Sequence, residues 1–179
     1  MSRHSLFFAI MADRETADRA FDFAGKLRQG ARLSGRPRPR ETLHVSLLSM
    51  AWRAAGAPPG DAVALARDRA STVTARPFKV SLNRVEGWKR DRPSGPVVLV
   101  GEEGVIGVDN LHRQIALAQG RRPDPGFCPH MSILWSSSDL EPRYVEPFTW
   151  TVREFGLVHS LVGLSRYEIL GRFPLVGAI

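Results

Sequence analysis

Apolar residues recur along this chain in two rhythms, and their alternation lays out the elements. Leu6 to Met11 is almost wholly apolar, which predicts a short buried strand. Asp13 follows as an N-cap, and Ala17, Ala20, Phe21, Ala24 and Leu27 recur at helical spacing up to Gly30. Two prolines and a glycine between Arg32 and Arg40 predict a basic loop. Leu43 to Leu48 is then a strand, and Ala54 to Gly60 a small-residue turn. Asp61 to about Ala75 carries a weaker helical stripe of Val63, Ala66, Ala70 and Val73. Phe78, Val80 and Leu82 alternate as a half-buried strand towards Gly87-Trp88, and Lys89 to Gly95 is a polar loop.

The opening pattern then returns. Pro96 to Val100 is an apolar strand, and Glu103 to Gln119 a helix with Val108, Leu111, Ile115 and Ala118 as its stripe. Gly120 to Gly126 is a second basic loop, followed by a strand from Pro129 to Leu134. Strand, helix, basic loop and strand thus occur twice, a duplication of architecture rather than of letters. Phe148–Val152, Phe155–Leu161 and Tyr167–Phe173 read as closing strands, the last two joined by a hairpin turn at Val162–Ser165. The expected fold is α+β. It is a single domain over residues 1–179, with two pseudo-symmetric lobes of antiparallel-rich sheet, flanking helices and an active-site cleft between the lobes.

Charge changes this picture only a little. The net charge is +7, with 22 Arg against 3 Lys, which permits an anionic partner such as a nucleotide or nucleic acid. Genome base composition explains an Arg bias equally well, so charge identifies no substrate. No stretch approaches the roughly 18 apolar residues of a membrane helix, and the first apolar run is too short for a signal peptide. A cytoplasmic protein without membrane contact is expected. A single cysteine, Cys128, excludes an internal disulfide and a multi-cysteine zinc site.

The duplicated strands carry the candidate chemistry. Each sets a His and a Ser two positions apart in an apolar run: His44 with Ser46, and His130 with Ser132, the two His 86 positions apart. In an extended strand such residues share a face about 7 Å apart, room for a phosphate between them. A lone His in an apolar strand is ordinarily a hydrogen-bonded core residue. Two, equivalently placed in two repeats, point to function. Imidazoles facing each other can take a proton from an attacking water and give one to a leaving ribose oxygen, and the hydroxyls can hold the non-bridging oxygens. No metal and no cofactor is needed. Arg38, Arg40, Arg121 and Arg122 lie in the loops before these strands, where a rim could hold a polynucleotide. Arg40 and Arg122 are the candidates for substrate binding, with Trp135 as a base-stacking residue and Trp88 behind it. Cys128 is adjacent enough to His130 to suggest a nucleophilic pair, but neighbours on one strand rarely orient for proton transfer. His4, His112 and His159 lack the hydroxyl partner and read as structural or surface residues.

These motifs resemble those of the two-histidine phosphoesterases, and within them the RNA 2′,3′-cyclic phosphodiesterases, also called the 2′-5′ RNA ligase family. The resemblance rests on Arg40 to Leu47 and Phe127 to Leu134. Leu6–Ile10, Arg76–Phe78 and Tyr167–Leu175 support it. Both motifs have Ser where Thr is more usual, and Trp135 stands where the family often has Arg. The resemblance implies hydrolysis of a cyclic phosphate at an RNA end to a 2′-phosphomonoester, and beside it a reversible 2′-5′ RNA ligation. His130 would be the base and His44 the acid, although the pseudo-symmetry makes these roles formally interchangeable. Two other readings stand beside it: a hydrolase of small cyclic nucleotides or cyclic ADP-ribose phosphates, and a non-catalytic nucleotide- or RNA-binding module. A monomer is expected, because the repeat supplies both halves of the site.

Overall fold

The computed structural model describes residues 3–54, 56–89, 91–162 and 166–177. The architecture is α+β. Eight strands and three helices follow in the order β1 (Arg3–Met11), α1 (Arg14–Gly30), β2 (His44–Ala54), α2 (Gly60–Ala70), β3 (Phe78–Gly87), β4 (Gly95–Val100), α3 (Ile106–Ala118), β5 (His130–Ser136), β6 (Arg143–Val152), β7 (Glu154–Val162) and β8 (Arg166–Pro174). The expected hairpin turn at Val162–Ser165 falls largely outside the described residues.

All eight strands form one antiparallel sheet in the order β6-β3-β4-β5-β2-β1-β7-β8. The two strands of each repeat are neighbours, β1 with β2 and β4 with β5, and the two repeats meet at the centre, β2 against β5. That seam is where Val45 stands opposite Met131. Both side chains are fully buried, so the positions on either side of them face the other way, out of the core. Along β1 the same parity buries Leu6, Phe8 and Ile10, whereas Phe7 is half-buried on the opposite face.

The helices join the same apolar cluster. Ala17, Ala20, Ala24 and Leu27 of α1, Ala66 and Ala70 of α2, and Val108, Leu111 and Ile115 of α3 pack with Val45, Leu47, Met131 and Ile133 of the sheet. Helix α1 begins as the sequence predicts, with the Asp13 carboxylate accepting the Thr16 N–H at 2.8 Å. Helix α2 stops at Ala70, short of the expected Ala75. There the Ser71 and Thr72 hydroxyls donate to the Asp68 and Arg69 carbonyls and turn the chain. Helix α3 starts at Ile106, later than Glu103, because the segment before it is held flat against β3. A Cβ on Gly101 or Gly104 would lie 2.4 or 2.6 Å from Ser81 atoms.

The loop between α1 and β2 is also fixed. The Arg38 N–H donates to the Ile133 carbonyl at 2.8 Å, Pro37 bridges to Leu134, and the Ser34 hydroxyl accepts the Ser137 N–H at 2.7 Å. Gly35 makes this approach possible. It has φ +81°, and a Cβ there would sit 2.1 Å from the Trp135 carbonyl oxygen. A short 3₁₀ turn, Arg40–Thr42, then delivers the chain into β2.

Candidate active site

The seam pairing dictates what faces the cavity. Antiparallel register carried one step either way from Val45 and Met131 sets His44 across from Ser132 and Ser46 across from His130. All four line one cavity of about 810 Å³, together with Phe7, Arg36, Arg38, Trp135 and Tyr167. Ser46 and His130 also border a second hollow of about 690 Å³, whose walls include Glu86, Trp88 and Phe127. Ser46 and His130 therefore stand between two recesses.

Each imidazole is held by the segment that leads into its own strand. His44 Nδ1 lies 2.7 Å from the Thr42 carbonyl, and His130 Nδ1 lies 2.8 Å from the Cys128 carbonyl, in both cases two residues upstream. A carbonyl only accepts, so each Nδ1 carries a hydrogen and each Nε2 is the atom that exchanges protons. With His44 neutral, the Ser46 hydroxyl donates to its Nε2 across 3.1 Å. The Thr42 carbonyl is positioned by the 3₁₀ turn, where the Thr42 N–H and hydroxyl both donate to the Pro39 carbonyl.

The aromatic walls differ. Phe7 and Tyr167 flank His44, with ring centroids 5.1 and 5.3 Å away, and Trp88 lies 4.4 Å from His130. The Trp88 indole N–H donates to Glu86 at 2.6 Å, which fixes the ring beside the imidazole. Burial pushes the His44 pKa down from 6.5 to about 4, further lowered by the positive charge of Arg38 and by His130, against the Thr42 hydrogen bond. Burial lowers His130 as well, against its bond to Cys128. Both imidazoles are thus neutral near pH 7.

The other candidates separate. Trp135 lines the cavity and remains 46% exposed, free to meet a ligand. Arg40 points away. Its guanidinium pairs with Asp18 at 2.7 Å and Asp22 at 3.2 Å and lies 3.8 Å over the Phe21 ring, clamping the loop to α1. Arg122 borders a different hollow with Asp109, His112 and Arg113, and Arg121 donates to the Ser49 carbonyl. Neither Arg40 nor Arg122 lines the His–Ser cavity. Cys128 meets His130 through its carbonyl, and burial pushes its thiol pKa up, away from the nucleophilic form. His112 is a core residue, stacked on Phe127 at 3.9 Å, donating to the Leu47 carbonyl and accepting the Asp124 N–H. His159 is buried between His4 and Glu168.

Of the four loop arginines named from the sequence, Arg38 alone lines this cavity, and Phe7 and Tyr167 line it without having been singled out. For Phe7 the signal was present, since its parity on β1 opposes that of Leu6, Phe8 and Ile10. Among the described residues, no cluster of three or more His, Cys, Asp or Glu side chains is arranged to hold a metal ion. No helix among them is long and apolar enough to cross a membrane.

The sequence profile of the 2′-5′ RNA ligase superfamily matches residues 16–163. No curated protein matches the chain. Among solved structures, it is similar to Escherichia coli LigT complexed with phosphate, at 22% identity and a TM-score of 0.76, covering 99% of this chain and 100% of that one. It is similar to LigT complexed with 3′-AMP at the same identity and TM-score, over 97% and 99% of the two chains. It also resembles TT0787 of Thermus thermophilus, at 22% identity and a TM-score of 0.62, over 96% and 97%. At such identities the likeness establishes the fold, while the profile spans most of the sequence: the chain belongs to the 2′-5′ RNA ligase superfamily of two-histidine phosphoesterases.

Proposed function

We propose that this protein hydrolyses 2′,3′-cyclic phosphates at RNA ends to 2′-phosphomonoesters by metal-independent acid–base catalysis. One observation carries the reading: two imidazoles, each anchored through Nδ1 to the backbone two residues upstream, present Nε2 with a serine hydroxyl to one shared cavity. A pocket that only binds needs donors. A matched pair of proton-exchanging nitrogens is what an in-line displacement at phosphorus requires. The capture of phosphate and 3′-AMP by LigT supports a phosphate-centred ligand here.

The reaction follows from the groups present. The cyclic phosphate sits among His44, Ser46, His130 and Ser132, with the hydroxyls donating to its non-bridging oxygens. One imidazole removes a proton from water as its oxygen attacks phosphorus, and the P–O3′ bond breaks. The other imidazole protonates the departing 3′ oxygen. By resemblance His130 is the base and His44 the acid. Burial makes His44 hard to protonate, so the negative charge of a bound phosphate supplies the field that charges it. The same steps with a 5′-hydroxyl in place of water, its oxygen attacking phosphorus as the P–O3′ bond breaks, give 2′-5′ ligation. One chain supplies both halves of the site, which supports a single two-lobed domain acting as a monomer.

A second reading has an observation behind it. Of the expected backbone-holding residues, Arg40 is paired with Asp18 and Asp22, and Arg122 borders a different hollow. Their absence from the cavity favours a small cyclic nucleotide over a long RNA. Offering wild-type protein a cyclic-ended oligonucleotide and a 2′,3′-cyclic mononucleotide side by side decides between them. The leading proposal expects turnover of the oligonucleotide, a 2′-phosphate product, and no loss with EDTA. Turnover of neither substrate would leave a binding module.

A further inference from the structure

We propose that Arg38 and Tyr167 form an oxyanion-binding arm of this cavity, taking a phosphate oxygen of the ligand beside the His44 end of the His–Ser pairs. The inference rests on the phosphoester reading and adds a recognition element outside the two His motifs.

Arg38 is a cation with unmet donors in a confined place. One guanidinium nitrogen donates to the Tyr167 hydroxyl at 2.8 Å. Its Nε is buried with no hydrogen-bond partner, and it forms no ion pair with a carboxylate among the described residues. Its neighbour Arg40 is paired twice. A buried cationic N–H without an acceptor is costly, and an anion in the cavity relieves it. The guanidinium fork matches two oxygens of a phosphate, whereas water or a carbonyl satisfies one N–H at a time.

Tyr167 completes the arm. Its hydroxyl accepts from Arg38, which leaves its own O–H to donate into the cavity. Burial raises its pKa despite the nearby arginine, so the proton stays on at neutral pH. Its ring meets both Phe7 and His44, at 5.7 and 5.3 Å, so the arm and the imidazole share one wall.

The backbone holds this arrangement independently of the side chain. The Arg38 N–H to Ile133 bond and the Pro37–Leu134 bridge lay the loop beside β5, one strand position from Ser132. A substitution at 38 retains both. The arm is also coupled to the chemistry, since the Arg38 charge helps hold His44 neutral. An oxyanion on Arg38 offsets that charge and lets His44 accept a proton when substrate is present.

The test compares wild type, Arg38→Gln, Arg38→Lys and Tyr167→Phe, with folding checked by thermal melting. Inorganic phosphate binding is measured by calorimetry, which needs no turnover. We expect Arg38→Gln to weaken phosphate at least about tenfold, and Arg38→Lys to recover part of that loss, as charge without the fork would. Tyr167→Phe should weaken it by a smaller factor. Unchanged phosphate affinity in a folded Arg38→Gln overturns the proposal, even if wild type turns over cyclic phosphates. If wild type turns over none, the phosphoester reading fails, but the phosphate affinities still judge the arm. Given turnover, kcat/KM on a 2′,3′-cyclic mononucleotide and a cyclic-ended dinucleotide separates two sources of the oxygen. An equal loss on both assigns the reacting phosphate, and a loss confined to the dinucleotide assigns the neighbouring one.

Discussion

Val45 and Met131 face each other across the seam between β2 and β5, and a local two-fold passes between them. That operation carries His44 onto His130 and Ser46 onto Ser132. The pair is apolar and fully buried, yet it decides that the two His–Ser sets share one cavity. A slip of one residue in this register would turn one set into the core.

Loss of either imidazole should therefore remove half of one device. His44→Ala and His130→Ala are each expected to reduce turnover of a 2′,3′-cyclic-ended oligonucleotide by at least about 10²-fold, the scale of a general acid or base. The double variant should fall little further than the worse single one, because acid and base act in one step. Initial rates on the purified variants measure this; undiminished rates in both singles would sink the mechanism.

The depressed His44 pKa is also a statement about stability. Unfolded, this imidazole titrates at 6.5; folded, at about 4. Between those values the unfolded chain binds the proton and the folded chain does not, so stability falls as pH falls through that window. At about 1.4 kcal/mol per pH unit, the loss attributable to His44 is about 3 kcal/mol by pH 4. Denaturant titrations at pH 7 and pH 4.5 should show the decline, and His44→Asn should flatten it. An equally steep decline in the variant would assign it to other groups.

Arg40 and Gly35 sit in the same loop and should behave in opposite ways. Arg40→Ala breaks an exposed clamp to Asp18 and Asp22, worth at most about 1 kcal/mol. Its kcat/KM should stay within about twofold of wild type, whatever the substrate length. A tenfold loss confined to long RNA would restore Arg40 to the binding surface.

Gly35→Ala combines a positive φ with a contact to the Trp135 carbonyl that cannot exist at 2.1 Å. The strain should cost about 1–3 kcal/mol, visible as a lowered melting temperature. Because the loop carries Arg38 past β5, KM should rise more than kcat falls. A variant with wild-type stability and KM would show the loop to be indifferent to this approach.

What the sequence made legible was what depends on near neighbours. The Asp13 cap, the stripe of α1 and the face shared by His44 and Ser46 are local matters of spacing, and each is found as expected. The delayed start of α3 was not legible, because Gly101 and Gly104 are pressed against Ser81, a residue 20 or more positions away. The arginines show the same division. Arg38 and Arg40 are two apart in one basic loop, and composition cannot rank them. The partners that separate them, Ile133 and Tyr167 for one and Asp18 and Asp22 for the other, come from distant strands and from α1.

Both imidazoles are oriented by carbonyls of the segments leading into their strands, not by side chains of the cavity wall. The wall can therefore be rebuilt without moving the hydrogen bonds that orient the proton-transfer atoms. Phe7, Trp88, Trp135, Tyr167 and Arg38 are free to vary with the ligand, while the reaction is written into the backbone of two strands. A scaffold of this kind can acquire new substrates by changing its walls alone.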